Sequence, residues 1–236
     1  MFLQQKIHFI GIGGIGMSAI AKILFQKGFK ISGSDQNENL IVQDLKKKGV
    51  KIFKSHSVSN IDNVDIVVYS SAIRKNNVEL KAAKKRKIPT FSRAMMLAEV
   101  MRLKPSITVA GSHGKTTTTS LIACILENAG LDPTVINGGI INSLGANAKL
   151  GDGKFIIAEA DESDGSFTLL PSTIGIINNI DLEHLDFYKN IDEIKKVFIK
   201  YAQQIPFYGF LCICNDDKNS KSIIKHINSK PIITFG

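Results

Sequence analysis

GSHGKTTTT, running from Gly111 to Thr119, is the stretch on which the reading of this chain turns. The apolar residues Ile107 to Ala110 before it read as a strand, and Thr117 to Asn128 after it read as a helix. A strand, a glycine turn carrying lysine and threonine, and then a helix form a phosphate cradle. Backbone N–H groups and the positive helix end hold a polyphosphate, lysine reaches its terminal phosphates, and a hydroxyl coordinates magnesium. By residue type, Lys115 and Thr116 fit those two roles. Val109 stands where the common G-x-x-x-x-G-K-[ST] pattern has its first glycine, so the loop is a shorter variant of it. The same residues are also compatible with a polar turn that merely caps a helix.

Working outward, strands and helices alternate, which predicts parallel sheets with crossover helices, an α/β fold. Strands are expected at Lys6 to Ile10, Phe29 to Gly33, Val50 to Phe53, Val64 to Tyr69 and Ile88 to Thr90. Helices are expected from Gly16 to Gln26, Leu40 to Lys48, Val78 to Arg86 and Arg93 to Arg102. Lys104-Pro105 interrupts the pattern, because proline disfavours helix at the residue before it, and a domain boundary is placed there. The expectation is a Rossmann-like nucleotide-binding domain over 1–104 and a P-loop-type α/β domain over 105–236, both with mainly parallel sheets. The second set has strands at Ile107 to Ala110, Phe155 to Glu159, Ile174 to Ile177, Phe210 to Ile213 and Pro231 to Thr234, with helices at Thr117 to Asn128, Ile191 to Ala202 and Lys218 to Ile227.

Composition narrows the function classes. With 44% apolar and 22% charged residues in 236, the chain is an ordinary globular protein with enough length for two cores. Its apolar runs are too short to span a bilayer and its start lacks a signal-peptide core, so it is expected in the cytoplasm with no membrane insertion. Three cysteines, Cys124, Cys212 and Cys214, are too few for a disulfide framework; the last two share one face of a strand and suit packing. The net charge of +9 is scattered over helix-like segments without interleaved aromatics, which argues against nucleic acid and suits a small anionic substrate.

Three further polar groups accompany strand ends. Gly11, Gly13 and Gly16 form a G-x-G-x-x-G between a strand and a helix, with Gly14 inside the turn, and Asp35 lies 19 residues beyond Gly16 at the end of the second strand. That arrangement suits a nucleotide diphosphate whose sugar or base meets the acid; close helix–strand packing without a ligand is the plain alternative. Glu159, Asp161, Glu162 and Asp164 crowd the end of another strand, and such repulsion favours a nearby cation. Glu159 is the expected magnesium ligand, a solvated acidic turn being the alternative. In Asn178 to Asp186, His184 suits a second metal, a phosphate contact or a structural role, and His113 sits within the phosphate loop.

Taken together, the blocks HFIGIGGIGMSAIA, ISGSD, YSSAI, SRAMMLAEVMR, GSHGKTTTT, EADESD and NNIDLEHLD resemble the Mur ligases along nearly all of the chain. The resemblance implies that the first domain binds the UDP part of UDP-N-acetylmuramate. Gly11, Gly13, Gly14 and Gly16 would lie at the diphosphate, with Asp35, Ser70, Ser71 and Arg93 near the uridine or sugar-phosphate portion. It implies that the second domain binds ATP over Gly111, Ser112, His113, Gly114, Lys115, Thr116 and Thr117. Thr116 and Glu159 would hold one Mg2+ and His184 a second, which makes Lys115, Glu159 and His184 the catalytic set. The implied reaction phosphorylates the muramoyl carboxylate, and the amine of L-alanine then displaces phosphate. Members of the family carry a third, C-terminal amino-acid-binding domain and an H-N-x-x-N segment near adenine; neither has a counterpart here, so little ligase activity is expected of this chain alone. Two other classes compete: an NAD-dependent oxidoreductase using the first turn and Asp35, and a P-loop NTPase regulator.

Overall fold

In the computed structural model, which describes residues 5–141, 146–163, 165–228 and 230–236, the chain divides into two compact units, Met1–Val100 and Met101–Gly236. In the first unit β1 (Lys6–Ile10), α1 (Ile15–Gln26), β2 (Lys30–Ser34), α2 (Leu40–Lys47), β3 (Lys51–Phe53), β4 (Ile66–Tyr69), α3 (Val78–Lys85) and β5 (Thr90–Ser92) follow in order, and α4 (Arg93–Met101) ends it. All strand pairs are parallel and the sheet order is β3-β2-β1-β4-β5. The chain winds outward from β1 to β3 and then returns to the other side of β1, so loops diverge at the carboxyl ends of β1 and β4. Ligands of open α/β sheets collect at such a point.

Local chemistry explains these elements. Ile7, Phe9 and Ile10 are buried on both faces of the central strand, as a doubly covered parallel sheet requires. Asn39 caps α2 by accepting from the Val42 N–H at 3.0 Å, and Asn77 caps α3 by accepting from Glu79 and Leu80. Ile10, Ile61, Val67, Leu80 and Ala83 form a core between the sheet and α3. The last strand of this unit begins two residues later than the sequence pattern predicts, at Thr90 rather than Ile88. Lys87 adopts a left-handed backbone and the Ile88 N–H donates to the Ala83 carbonyl, so these residues close α3 before the strand starts.

The second unit contains β6 (Ser106–Ala110), α5 (Lys115–Asn128), β7 (Thr134–Ile141), β8 (Ala146–Lys149), β9 (Ile156–Ala160), β10 (Ile174–Ile177), α6 (Ile191–Gln203), β11 (Phe210–Cys214), α7 (Lys218–Ile223) and β12 (Ile232–Phe235). Its seven-stranded sheet runs β12-β11-β10-β6-β9-β7-β8, with β6 central and the β9 and β10 loops on either side of the β6 turn. Every pair is parallel except β7 with β8. The sequence expectation assigned no element to this segment, whose glycines and asparagines are residue types depleted in strands. The expected helix to Ile227 ends at Ile223 and tightens into a 3-10 turn over Ile224–His226. Ile107, Ala123, Val135 and Ile157 pack between α5 and the sheet. On the other face Phe167 packs against Phe198 and Tyr201 of α6, with ring centroids 5.2 Å apart in each case. Burial pushes the Tyr201 phenol up to about 12, so it stays a neutral partner for Thr108 and Ser172. Among the described residues, no helix is long and apolar enough to cross a membrane.

Candidate functional site

Each unit carries a glycine turn at the carboxyl end of its central strand. In the first, the backbone of Gly11 is left-handed at φ 82°, and a Cβ there would approach Ser70 Cβ to 3.2 Å, so glycine is needed for the turn to pass β4. A Cβ on Gly13 would fall 2.8 Å from the Asp35 carboxylate, whose Oδ2 accepts the Gly13 N–H at 2.8 Å. Asp35 Oδ1 accepts the Asn37 N–H at 2.9 Å, so both its oxygens brace the loops. The remaining turn amides are also engaged: Gly11 and Ile12 donate to the Ser34 carbonyl and Gly14 donates to the Gly11 carbonyl. Arg93 lies against the first turn of α1, where a Cβ on Gly16 would come within 3.1 Å of its guanidinium.

A cleft of about 430 Å3 opens beside this turn, lined by Gly11, Gly13, Gly14, Asp35, His56 and Ser70 among others. Ser70 therefore joins Gly11, Gly13, Gly14 and Asp35 there, while Gly16, Ser71 and Arg93 are not among the cleft's lining residues; Ser71 follows Ser70 as an exposed residue. His56 was missed by the sequence reading. Its Nδ1 lies 2.9 Å from Oε2 of Glu79, a fully buried carboxylate on α3 that also accepts from Ser34 Oγ at 2.6 Å and Asn60 Nδ2 at 2.6 Å. His8 Nε2 stands 3.5 Å from Glu79 Oε1, longer than an ordinary hydrogen bond. Burial opposes the charge on Glu79, yet His8 beside it and the hydrogen-bond partners Ser34, Asn60 and His56 outweigh it and hold the carboxyl at about 2.

In the second unit, Gly111 (φ 141°) and Gly114 (φ 76°) carry the phosphate loop through backbone that side chains avoid. Gly114 is the left-handed N-cap of α5, so the helix starts at Lys115, two residues earlier than the sequence pattern suggested. The segment after β10 fixes the loop from below. Ser112 N–H donates to the Asn179 carbonyl, His113 N–H donates to Asn179 Oδ1 at 2.8 Å, and Asp181 N–H donates to Ser112 Oγ at 2.9 Å. His113 Nε2 lies 3.1 Å from Asp181 Oδ2, and its Nδ1 is 3.7 Å from Glu183.

The Lys115 ammonium donates to both oxygens of Glu162 at 2.9 Å and to the Gly111 carbonyl at 2.7 Å. Glu162 is 1% exposed, and its backbone carbonyl accepts from the Tyr188 hydroxyl at 2.5 Å. His184 Nε2 stands 3.5 Å from Glu162 Oε1, and His184 itself is left-handed at φ 56°, a strained backbone for a residue with a Cβ. Glu162, Glu183 and His184 each bring a ligand atom into one group spanning 4.8 Å. Two carboxylates and an imidazole at that spacing fit a divalent cation. The structure therefore joins His184 to Glu162 and Glu183. Glu159 sits in β9 opposite Val109, and Thr116 is the exposed second residue of α5. The only sequence signal for Glu162 and Glu183 was their place in the two acidic strand-end segments; Asp164 lies outside the described residues.

A Mur ligase family catalytic-domain model matches residues 6–105, and a Mur ligase middle-domain model matches residues 109–236. The chain belongs to the Mur ligase family. It is 55% identical over 232 residues to the UDP-N-acetylmuramate–L-alanine ligase of Rickettsia bellii, covering 98% of this chain and 48% of that relative. The crystal structure of the UDP-N-acetylmuramate-alanine ligase of Thermotoga maritima superimposes with a TM-score of 0.85 at 32% identity, over 99% of this chain and 53% of that one. The UDP-N-acetylmuramate:L-alanyl-gamma-D-glutamyl-meso-diaminopimelate ligase of Neisseria meningitides gives a TM-score of 0.91 at 26% identity, over 99% and 78% respectively. The chain thus spans about half the length of the curated relatives it matches. The family match takes in the first glycine turn as well as the phosphate loop, and it replaces the oxidoreductase reading of that turn.

Proposed function

We propose that this Mur ligase chain binds UDP-N-acetylmuramate in its first unit and ATP with Mg2+ in its second, as the nucleotide-binding part of a ligase that joins L-alanine to the muramoyl carboxylate. The observation that carries this reading is the second unit's strand-end group, in which Lys115, Glu162, Glu183 and His184 surround a glycine phosphate loop.

The chemistry asks for such a group. A carboxylate attacking the γ-phosphorus of ATP brings two anions together, so positive charge must lie where they meet. Lys115 supplies it at the loop, within reach of the terminal phosphates, and Glu162 competes with those phosphates for the same ammonium. Glu162, Glu183 and His184 would hold one Mg2+ and Thr116 and Glu159 another, and Mg2+ would supply further charge neutralisation there. ADP leaves as the acyl phosphate forms. The L-alanine amine then attacks the acyl carbon, the C–O bond to phosphate breaks, and the amine's proton is lost to give the amide. Positioning and charge carry both steps, so no side-chain nucleophile is required. Work that draws on ATP and UDP-linked sugars belongs in the cytoplasm.

Fluorescence titration separates the proposal from a redox role. UDP-N-acetylmuramate should saturate the chain while NADH gives no response; NADH saturation displaced by NAD, with no effect of UDP-sugar, would overturn it.

A further inference from the structure

The first unit has a second hollow, at the opposite ends of its strands from the glycine turn. Lys6, Lys30 and Lys51 open β1, β2 and β3. Register sets Lys6 beside Lys30 and Lys51 beside Ser32, so the three lysines and Ser32 share one face of the sheet. Ile7, Phe9 and Ile31 on the opposite face are buried. On the lysine face α3 packs against β4 and β5, and beside it the beginnings of β1, β2 and β3 stay open. A parallel strand covered on both sides is apolar on both, whereas β2, Lys-Ile-Ser-Gly-Ser, is polar along this one. The hollow left there measures about 490 Å3, a size that suits a small molecule, and it shares no lining residue with the cleft beside the glycine turn.

Lys6, Lys30 and Lys51 all line this hollow. Elsewhere in the unit Lys22, Lys46, Lys48 and Lys54 are ion-paired with acids, but among the described residues these three ammonium groups have no carboxylate partner. Lys51 lies instead over the Phe53 ring, 5.0 Å from its centroid. Asp62, the acid among the described lining residues, is taken by Arg86 at 2.8 Å, and Asp65 nearby accepts the Lys6 N–H at 2.7 Å. Three positive charges around one hollow repel one another, and an anion among them relieves that repulsion. The wall behind them is held in place. Ser32 Oγ lies 2.9 Å from Nδ1 of the fully buried His8. Asn60, 8% exposed, donates from Nδ2 to the Ser55 carbonyl at 2.7 Å and to Glu79 Oε1 at 2.6 Å.

A phosphate monoester carries about two negative charges at neutral pH and suits lysines, which meet it as point charges. Ser59 and Asn63 at the rim add a hydroxyl and an amide, groups that hydrogen-bond sugar hydroxyls. We infer that this hollow is a second anion site, which takes a sugar phosphate with its phosphoryl group among Lys6, Lys30 and Lys51 and its hydroxyls toward Ser59 and Asn63. The site is separate from both glycine turns and stands whatever the first cleft binds.

The test is an NMR titration of the isotope-labelled full chain with glucose 6-phosphate. UDP-N-acetylmuramate, a non-hydrolysable ATP analogue and Mg2+ are present throughout, to occupy the two glycine turns. The amide signals of Lys30, Ser32, Lys51 and Asn63 should move saturably, glucose should leave them in place, and added salt should weaken the binding. Lys30→Gln combined with Lys51→Gln changes exposed side chains and should retain the fold, checked by exchange protection of the β1 amides. That double variant should bind at least about tenfold more weakly, the loss expected for a hydrogen bond to a charged group. Inorganic phosphate should also bind more weakly than the sugar phosphate, because it does not reach Ser59 and Asn63. No saturable movement at these residues, or equal affinity in the double variant, overturns the inference. Equal affinity for inorganic phosphate overturns it too, leaving a screening anion among surface lysines. Movement confined to the Gly11–Gly16 or Gly111–Thr117 turn would put the sugar phosphate at a nucleotide site instead, and overturn it while leaving the UDP-sugar reading intact.

Discussion

Replacing Glu79 with glutamine tests whether the buried carboxylate contributes to folding as its surroundings imply. Hydrogen bonds hold Glu79 at about 2 against an ordinary value of 4.5. A displacement of that size corresponds to about 3 kcal/mol of stability from this one group, at about 1.36 kcal/mol per pH unit. Because the folded value is depressed, this stability is present in full above pH 4.5 and is lost as pH falls toward 2. The amide introduced by Glu79→Gln would also turn an NH2 group toward the donors of Ser34, Asn60 or His56, so the loss at neutral pH should reach at least that size. Amide exchange at Ile7, Phe9 and Ile10 of β1, beside this network, is the local reporter. Protection there should drop about a hundredfold in Glu79→Gln at about pH 7, and the gap should close as both chains approach pH 2. A difference that stays the same from about pH 7 to pH 3 would refute the reasoning, since the ionised carboxylate would then not be the source of the stability.

Other perturbations address the two turns separately. Gly13→Ala drives a methyl group to 2.8 Å from the Asp35 carboxylate and 2.9 Å from Val42, so UDP-sugar affinity should fall more than about tenfold while ATP-analogue binding is unchanged in the same titration. Lys115→Ala should weaken ATP-analogue binding about a hundredfold and leave UDP-sugar binding intact; loss of both would argue against separate sites. The same variant leaves Glu162 buried without its ammonium, and a lower melting temperature of the second unit, by calorimetry, should accompany it. His184→Ala should reduce Mn2+ affinity about tenfold or more, measured by paramagnetic relaxation of water, because it removes one of three gathered ligands.

Both glycine turns were legible in the sequence because their function is written in local spacing: a glycine at each position where the backbone must turn left-handed or a neighbour approaches closely. The parallel sheets followed from the alternation of apolar runs with helical patterns. What the sequence hid depends on contacts between distant segments. Glu79 sits in the first turn of α3, where an acidic residue ordinarily faces water, and only the packing of α3 against β4, β5 and the 3-10 turn Val58–Ile61 buries it beside His8, Ser34 and His56. His56 and Glu79 lie 23 positions apart with no pattern linking them. Similarly, Glu159, Asp161 and Glu162 lie together at the end of β9, but the one that meets Lys115 is selected by a turn that Tyr188 anchors through the Glu162 carbonyl. The antiparallel β7–β8 pair was hidden for a compositional reason, since glycine and asparagine are depleted in strands.

The central claim is that the first unit is a UDP-sugar site distinct from an ATP site in the second. Isothermal titration calorimetry of the chain with UDP-N-acetylmuramate, followed by a non-hydrolysable ATP analogue in the presence of Mg2+, tests it most directly. The account predicts one UDP-sugar bound per chain, with an affinity that persists in Lys115→Ala. Absence of UDP-sugar binding in a chain whose β1 amides are fully protected from exchange would contradict it.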